Sequence, residues 1–103
     1  MSDRLELLRE LLADDPDDPF TRYGLAMELA SRGQLDLALA EFATLVREAP
    51  DYVATYYQYA RALQRKGSLE EACAIARRGH DVAGAQGDEH TEGELEDLIA
   101  ELE

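Results

Sequence analysis

A chain of 103 residues has room for one domain, and 46% apolar residues suffice for a core, so the composition argues against disorder. A net charge of −13, from 23 acidic against 10 basic residues, repels a phosphate backbone and argues against a nucleic-acid partner. No apolar run approaches the ~20 residues that cross a bilayer, and the single cysteine, Cys73, leaves no internal disulfide to form.

Ala, Leu, Glu and Arg dominate, the composition of helices. The N-terminal stretch MSDRLELLRELLADD lacks the basic start and apolar run of a secretory signal, so a cytoplasmic protein is expected. The first helix is predicted over residues 3–14, with Asp3 and Glu6 spaced as a capping box. Asp18-Pro19 opens the second with a side-chain cap followed by proline in the first turn. Along it, Phe20, Tyr23, Met27 and Ala30 share one stripe, while Leu25, Ala26 and Leu29 form its neighbour. Gly33 stops this helix by supplying a left-handed residue. A third helix carries Leu35, Ala38, Phe42, Leu45 and Val46 at three- and four-residue steps until Pro50 ends it. Asp51 reads as the cap of the fourth helix and Gly67 as its stop. Ser68-Leu69-Glu70-Glu71 is a capping box for the fifth, whose buried face is Leu69, Ala72, Ile75 and Ala76. Gly79 and Gly84 are expected to weaken its later turns, with a loop over 83–87. The last helix is expected to start at Asp88 and to place Leu95, Leu98, Ile99 and Leu102 on one stripe.

The chain repeats itself at an offset of thirty-four residues. Leu25 falls on Tyr59, Ala26 on Ala60, Leu29 on Leu63, Gly33 on Gly67, Leu35 on Leu69 and Ala38 on Ala72. One step toward the N-terminus, Phe42 falls on Leu8, Leu45 on Leu11, Pro50 on Pro16 and Asp51 on Asp17, and Arg4 takes the slot of Ala38. A helix pair of this length cannot bury its apolar face alone, so the units must stack. The expected fold is all-α: a short right-handed α-solenoid of helix-turn-helix repeats with about six helices. Its single domain, 1–103, divides into a half-repeat helix (3–14), two units (19–52 and 53–86) and a C-terminal cap (88–103). Ala26, Ala38, Ala60 and Ala72 are small enough for helix axes to approach at the close end of ~8–10 Å.

These residues resemble the tetratricopeptide repeat, whose pattern is W-x2-L-G-x2-Y, then A-x3-F, then P. The first unit reads Arg22-x2-Leu25-Ala26-x2-Leu29, Ala38-x3-Phe42 and Pro50. The second reads Tyr56-x2-Tyr59-Ala60-x2-Leu63 and Ala72-x3-Ala76, with Gly84 in the proline slot. Arg22 and Ala76 depart from the pattern's aromatics, and Gly93 and Glu94 stand where a further Leu-Gly pair would fall, so the last helix reads as a divergent cap.

The resemblance implies a concave face, built from the first helix of each pair, that holds peptides or partner helices. Transferred by position, it contains Phe20, Tyr23, Met27 and Ser31 from the first unit and Ala54, Tyr57, Arg61, Gln64 and Arg65 from the second. Aromatic, Met and Arg residues are enriched in interfaces. Tyr57, Arg61 and Arg65 lie at four-residue steps, and arginine can hold a carboxylate bidentately, so a peptide with an acidic group is the expected ligand. The plain alternative is that Tyr23 and Met27 merely pack while Arg61 and Arg65 are solvated. The family's arrangement for clamping a terminal carboxylate uses Lys and Asn, which Tyr23, Met27, Tyr57 and Arg61 do not match, so binding of chaperone tails is not expected. The primary expectation is an adaptor for another protein. The second is a self-assembling unit that forms a homodimer through its ends or grooves.

No catalytic constellation is read from the sequence, and no enzyme activity, cofactor or metal is expected. Cys73 and His80 lie two turns apart, too far for a direct hydrogen bond, with no acid to orient the histidine, so Cys73 reads as a small core residue. His80, Asp81 and His90 match no zinc spacing. The run DDPDDP lacks the glycine and closing glutamate of a calcium loop and reads as a turn and cap. The acidity of residues 81–103, which hold no Arg or Lys, reads as a solvated cap, with a basic partner as the alternative. For the whole chain, it reads as an aid to solubility or to residence in a salty cytoplasm.

Overall fold

In the computed structural model, which describes residues 3–103, every regular element is a helix: α1 (Arg4–Asp14), α2 (Pro19–Ser31), α3 (Leu35–Glu48), α4 (Ala54–Lys66), α5 (Leu69–Gln86) and α6 (Glu89–Leu102). Each helix packs on the next in the chain, and α4 also meets α2 and α6. The result is an inner row of α2, α4 and α6 in an elongated body of 42 × 29 × 20 Å.

Local chemistry sets the helix ends. The Asp3 carboxylate accepts from the amides of Leu5 (2.7 Å) and Glu6 (3.2 Å). Asp18 accepts from the Phe20 amide (3.0 Å) and the Thr21 hydroxyl (2.6 Å), and Asp88 accepts from the amide and hydroxyl of Thr91. All three carboxyls are held below the usual aspartate range, Asp3 chiefly by the Glu6 amide and the other two chiefly by the hydroxyl each receives. Gly33, Gly67 and Gly87 adopt φ of 78°, 88° and 70°. Behind each glycine the next amide reaches back to Leu29, Leu63 or Ala83, at 2.9 Å in every case, so one backbone-capping motif closes three helices.

Leu69, expected on the buried face of α5, is instead 50% exposed at its first turn, and three expectations about helix ends fail as well. Ser68 makes no side-chain cap bond, and neither does Gln34 in the equivalent slot. Both have φ near −86° and ψ near 67°, so backbone alone fixes the two turns and the capping box is not used. Asp51 does not cap α4: Val53 takes that place in a helical conformation, and the amides of Thr55 and Tyr56 bond to the carbonyls of Tyr52 and Val53. The Asp51 carbonyl instead accepts from Gln86 Nε2 at 2.7 Å. Finally, 83–87 is no loop, because α5 continues through it to Gln86. Gly84 stands in the slot of Pro50, and without a proline nothing stops the helix before Gly87.

The four small residues at the unit interior, Ala26, Ala38, Ala60 and Ala72, are completely buried. Replacing Ala26 or Ala60 by Leu therefore overpacks the helix contacts and is expected to lower stability by ~1–3 kcal/mol in urea denaturation, despite the added apolar surface. A neutral result would mean that the helices have room to spare. Cys73 is only half-buried and does not belong to the core. No helix among the described residues is long and apolar enough to cross a membrane.

Candidate functional site

Two clefts flank α4 on the inner row. Met27, Ala30 and Ser31 of α2 face Gln58, Arg61, Ala62 and Arg65 of α4 across the first, over a floor that includes Phe42. At about 210 Å³ it lies below the ~300–1,000 Å³ of a small-molecule pocket and suits individual side chains of a peptide. The second, of about 350 Å³, lies between Tyr57 and Arg61 of α4 and Glu94, Asp97, Leu98 and Glu101 of α6. Arg61 belongs to both.

Periodicity explains these positions. In α4 the buried faces hold Tyr59, Ala60, Ala62 and Leu63, which leaves Tyr57, Arg61, Gln64 and Arg65 on the remaining arc. Arg61 is held on every side. Its Nε and Nη2 donate to the Tyr57 hydroxyl oxygen at 3.2 and 3.0 Å, and its Nη1 donates to Gln64 Oε1 at 2.8 Å and Glu101 Oε2 at 2.5 Å. The guanidinium carbon also lies 5.3 Å from the centre of the Tyr57 ring. The Tyr57 hydrogen bonds first, then the Glu101 carboxylate, push its pKa up, so the charge is permanent. Glu101 thus supplies, from within the chain, a carboxylate of the kind expected from a ligand, and ties α6 to α4.

Arg65 is exposed and crosses the first cleft, its Nη1 donating to the Ala30 carbonyl at 3.1 Å. A cation at the C-terminal end of α2 also complements the helix dipole. Neighbouring Lys66 pairs with Asp36 of α3.

Met27, Ser31, Arg61 and Arg65 thus meet in one cleft, Tyr57 borders the next, and Gln64 is bonded to Arg61. Tyr23 lies apart from both clefts: its ring is tilted on Tyr52, 5.7 Å between centres, and burial, then Tyr52, pushes its hydroxyl pKa up. Phe20 lines neither cleft and stands 72% exposed at the start of α2. Phe42 and Ala62 in the cleft floor, and Glu94, Asp97 and Glu101 on α6, were not foreseen as lining residues. The acidic steps of three and four along α6 were the available signal.

A second latch holds α6 from the α5 side. His80 Nε2 lies 3.0 Å from Glu96 Oε1 and 3.9 Å from Glu92 Oε2. The Glu96 hydrogen bond, then the charges of Glu92, Glu96 and Asp81, raise the His80 pKa. A folded-state pKa above the unfolded one gives a contribution that is complete below about pH 6.5 and is lost as pH rises through the raised value. Amide hydrogen exchange in α6, corrected for its intrinsic pH dependence, is therefore expected to show less protection at pH 8.5 than at pH 6. His80→Gln should flatten that difference; an equal pH dependence in the variant would show that His80 does not hold the helix.

No protein-family model matches the chain, and no curated protein matches it. Among solved structures, the solution structure of a tetratricopeptide repeat domain protein from Salinibacter ruber is 38% identical, covers 86% of this chain and 90% of its own, and superposes with a TM-score of 0.82. A crystal structure of a tetratricopeptide repeat domain protein from the same organism is 36% identical, covers 82% of this chain and 96% of its own, and gives 0.79. The type III secretion translocator chaperone SycD of Yersinia enterocolitica gives a TM-score of 0.87 at 17% identity, over 95% of this chain and 68% of its own, a likeness of fold alone.

Proposed function

We propose that this chain, which belongs to the tetratricopeptide repeat family, is a protein-interaction module that holds an extended peptide or partner helix along α4. The observation that carries the reading is the cleft between α2 and α4. It is side-chain-sized, walled on the α2 side by Met27 above the buried Phe42 and Ala62, and rimmed by two guanidinium groups. An apolar floor with a charged rim is the make-up of a small recognition site. Arg61 already faces Glu101, so Arg65 is the arginine that receives an acidic group, exchanging the Ala30 carbonyl for a carboxylate. Tyr57 and Gln64 hold Arg61 in place, Ser31 offers a hydroxyl at the rim, and Phe20 and Tyr23 extend the surface along α2. In this reading the protein acts in the cytoplasm as an adaptor, without a catalytic step or cofactor, and its partner is another protein rather than nucleic acid or membrane.

A display library of random twelve-residue peptides, selected on the protein, tests it. The selected sequences are expected to share an acidic residue beside apolar ones. Arg65→Glu is expected to weaken a selected peptide at least about tenfold, the scale of one charge-assisted hydrogen bond. Selected peptides without acidic residues, or binding untouched by both Arg65→Glu and Met27→Ala, would overturn the reading.

A further inference from the structure

Helix α1 carries two apolar stripes and uses one. Leu5, Leu8 and Leu12 pack into the core, whereas Leu7 and Leu11 remain 49% and 46% exposed. The thirty-four-residue register shows which side this is. Leu7 and Leu11 correspond to Glu41 and Leu45 of α3. There Glu41 meets Arg22 of α2 at 2.5 Å, and Leu45 is buried beside the start of α2. The exposed stripe is therefore the side that, in α3, the preceding helix covers; among the described residues α1 packs on α2 alone.

The stripe continues in both directions as Arg4, Leu7, Leu11 and Asp14, spaced three, four and three, the spacing of a helix–helix seam. All four are exposed, and the two ends carry opposite charges. Laid antiparallel on a second α1 with Leu7 against Leu11, the stripe sets Arg4 opposite Asp14, and the two-fold axis repeats both contacts. One patch is thus complementary to itself, which an isologous contact requires. We infer that a second copy of this chain covers the Leu7–Leu11 stripe, through antiparallel α1 helices closed at each end by an Arg4–Asp14 ion pair. The contact is independent of the clefts along α4.

A seam of one short helix per copy falls below the ~1,200 Å² of a standard interface, so pairing shows at about 100 µM and above. Sedimentation equilibrium from about 10 to 500 µM is expected to show a monomer–dimer equilibrium. Leu7→Gln with Leu11→Gln, at half-exposed positions of α1, abolishes it while the far-ultraviolet circular dichroism of the folded monomer is kept. Arg4→Asp alone and Asp14→Arg alone each weaken it about threefold to tenfold, and the two together restore it. Arg4 Nε also lies 3.1 Å from Glu28 Oε1, a contact the double exchange does not return, so recovery reports on the seam alone. A protein monomeric throughout, as when the stripe awaits another chain's helix, overturns the inference. So does a dimer that survives the leucine changes, or a double exchange that restores nothing.

Discussion

Gly79→Ala destabilises the protein, although alanine is the better helix former by ~1 kcal/mol. Gly79 sits buried within α5, where an added Cβ would lie 2.3 Å from Tyr56 Cβ, 2.9 Å from Tyr56 Cγ and 3.1 Å from Leu95 Cδ1. The Tyr56 ring cannot yield freely, because its hydroxyl donates to the Pro50 carbonyl at 2.6 Å and Arg78 lies over its face, 5.9 Å from the ring centre. The methyl group must therefore push α5 away from α4 and from α6 together. We expect a net loss of ~2 kcal/mol in urea denaturation, after the propensity gain, because overpacking of this severity exceeds it. Gly93→Ala in α6 is the control: a Cβ there meets nothing within 4 Å, so stability should rise by ~0.5–1 kcal/mol. Two helical glycines with opposite responses are the expected result. A stabilising Gly79→Ala would show that α4 and α5 do not approach as closely as described.

Phe42→Ala is expected to cost ~3–5 kcal/mol, a large share of the ~5–15 kcal/mol that holds a domain folded. Phe42 is completely buried, and its ring stacks on Tyr59 with centres 5.7 Å apart and planes 17° from parallel. It belongs to α3 and Tyr59 to α4, so the contact joins one helix pair to the next, and its loss opens the cleft floor as well as the core. Phe20→Ala makes the comparison, since the same truncation at a 72% exposed site should change stability by under ~0.5 kcal/mol. Equal effects at the two positions in chemical denaturation would mean that the stack does not depend on contacts between pairs.

The helices and their order were legible because their signals are local. Asp3, Asp18, Gly33 and Gly67 act through backbone groups within a few residues, and the thirty-four-residue register carries a buried face from one unit to the next. What escaped depends on neighbours distant in sequence. Gly79 reads locally as a weak point in a helix; its use is the space taken by Tyr56 and Leu95. Ser68 and Glu71 have the spacing of a capping box, yet the left-handed Gly67 already closes that turn through backbone bonds. The extra length of α5 required noticing that Gly84 replaces a stop rather than weakening a helix.

For the clefts, the register indicated which α2 and α4 residues share the inner row. It could not show that Arg61 finds Glu101, forty residues on, or that Arg65 reaches the Ala30 carbonyl. Those contacts follow from how the helices lie against each other. The same holds for Tyr23, whose place on the inner arc of α2 did not disclose its contact with Tyr52.

The most direct test of the binding surface is an NMR titration of the isotopically labelled protein with an acidic peptide selected from the display library. The largest amide shifts are expected at Met27, Ala30, Ser31, Gln58, Arg61 and Arg65, with smaller ones along α6. Shifts gathered instead around Leu37, Leu69 and Cys73 on α3 and α5, with those six residues unmoved, would contradict the proposed surface.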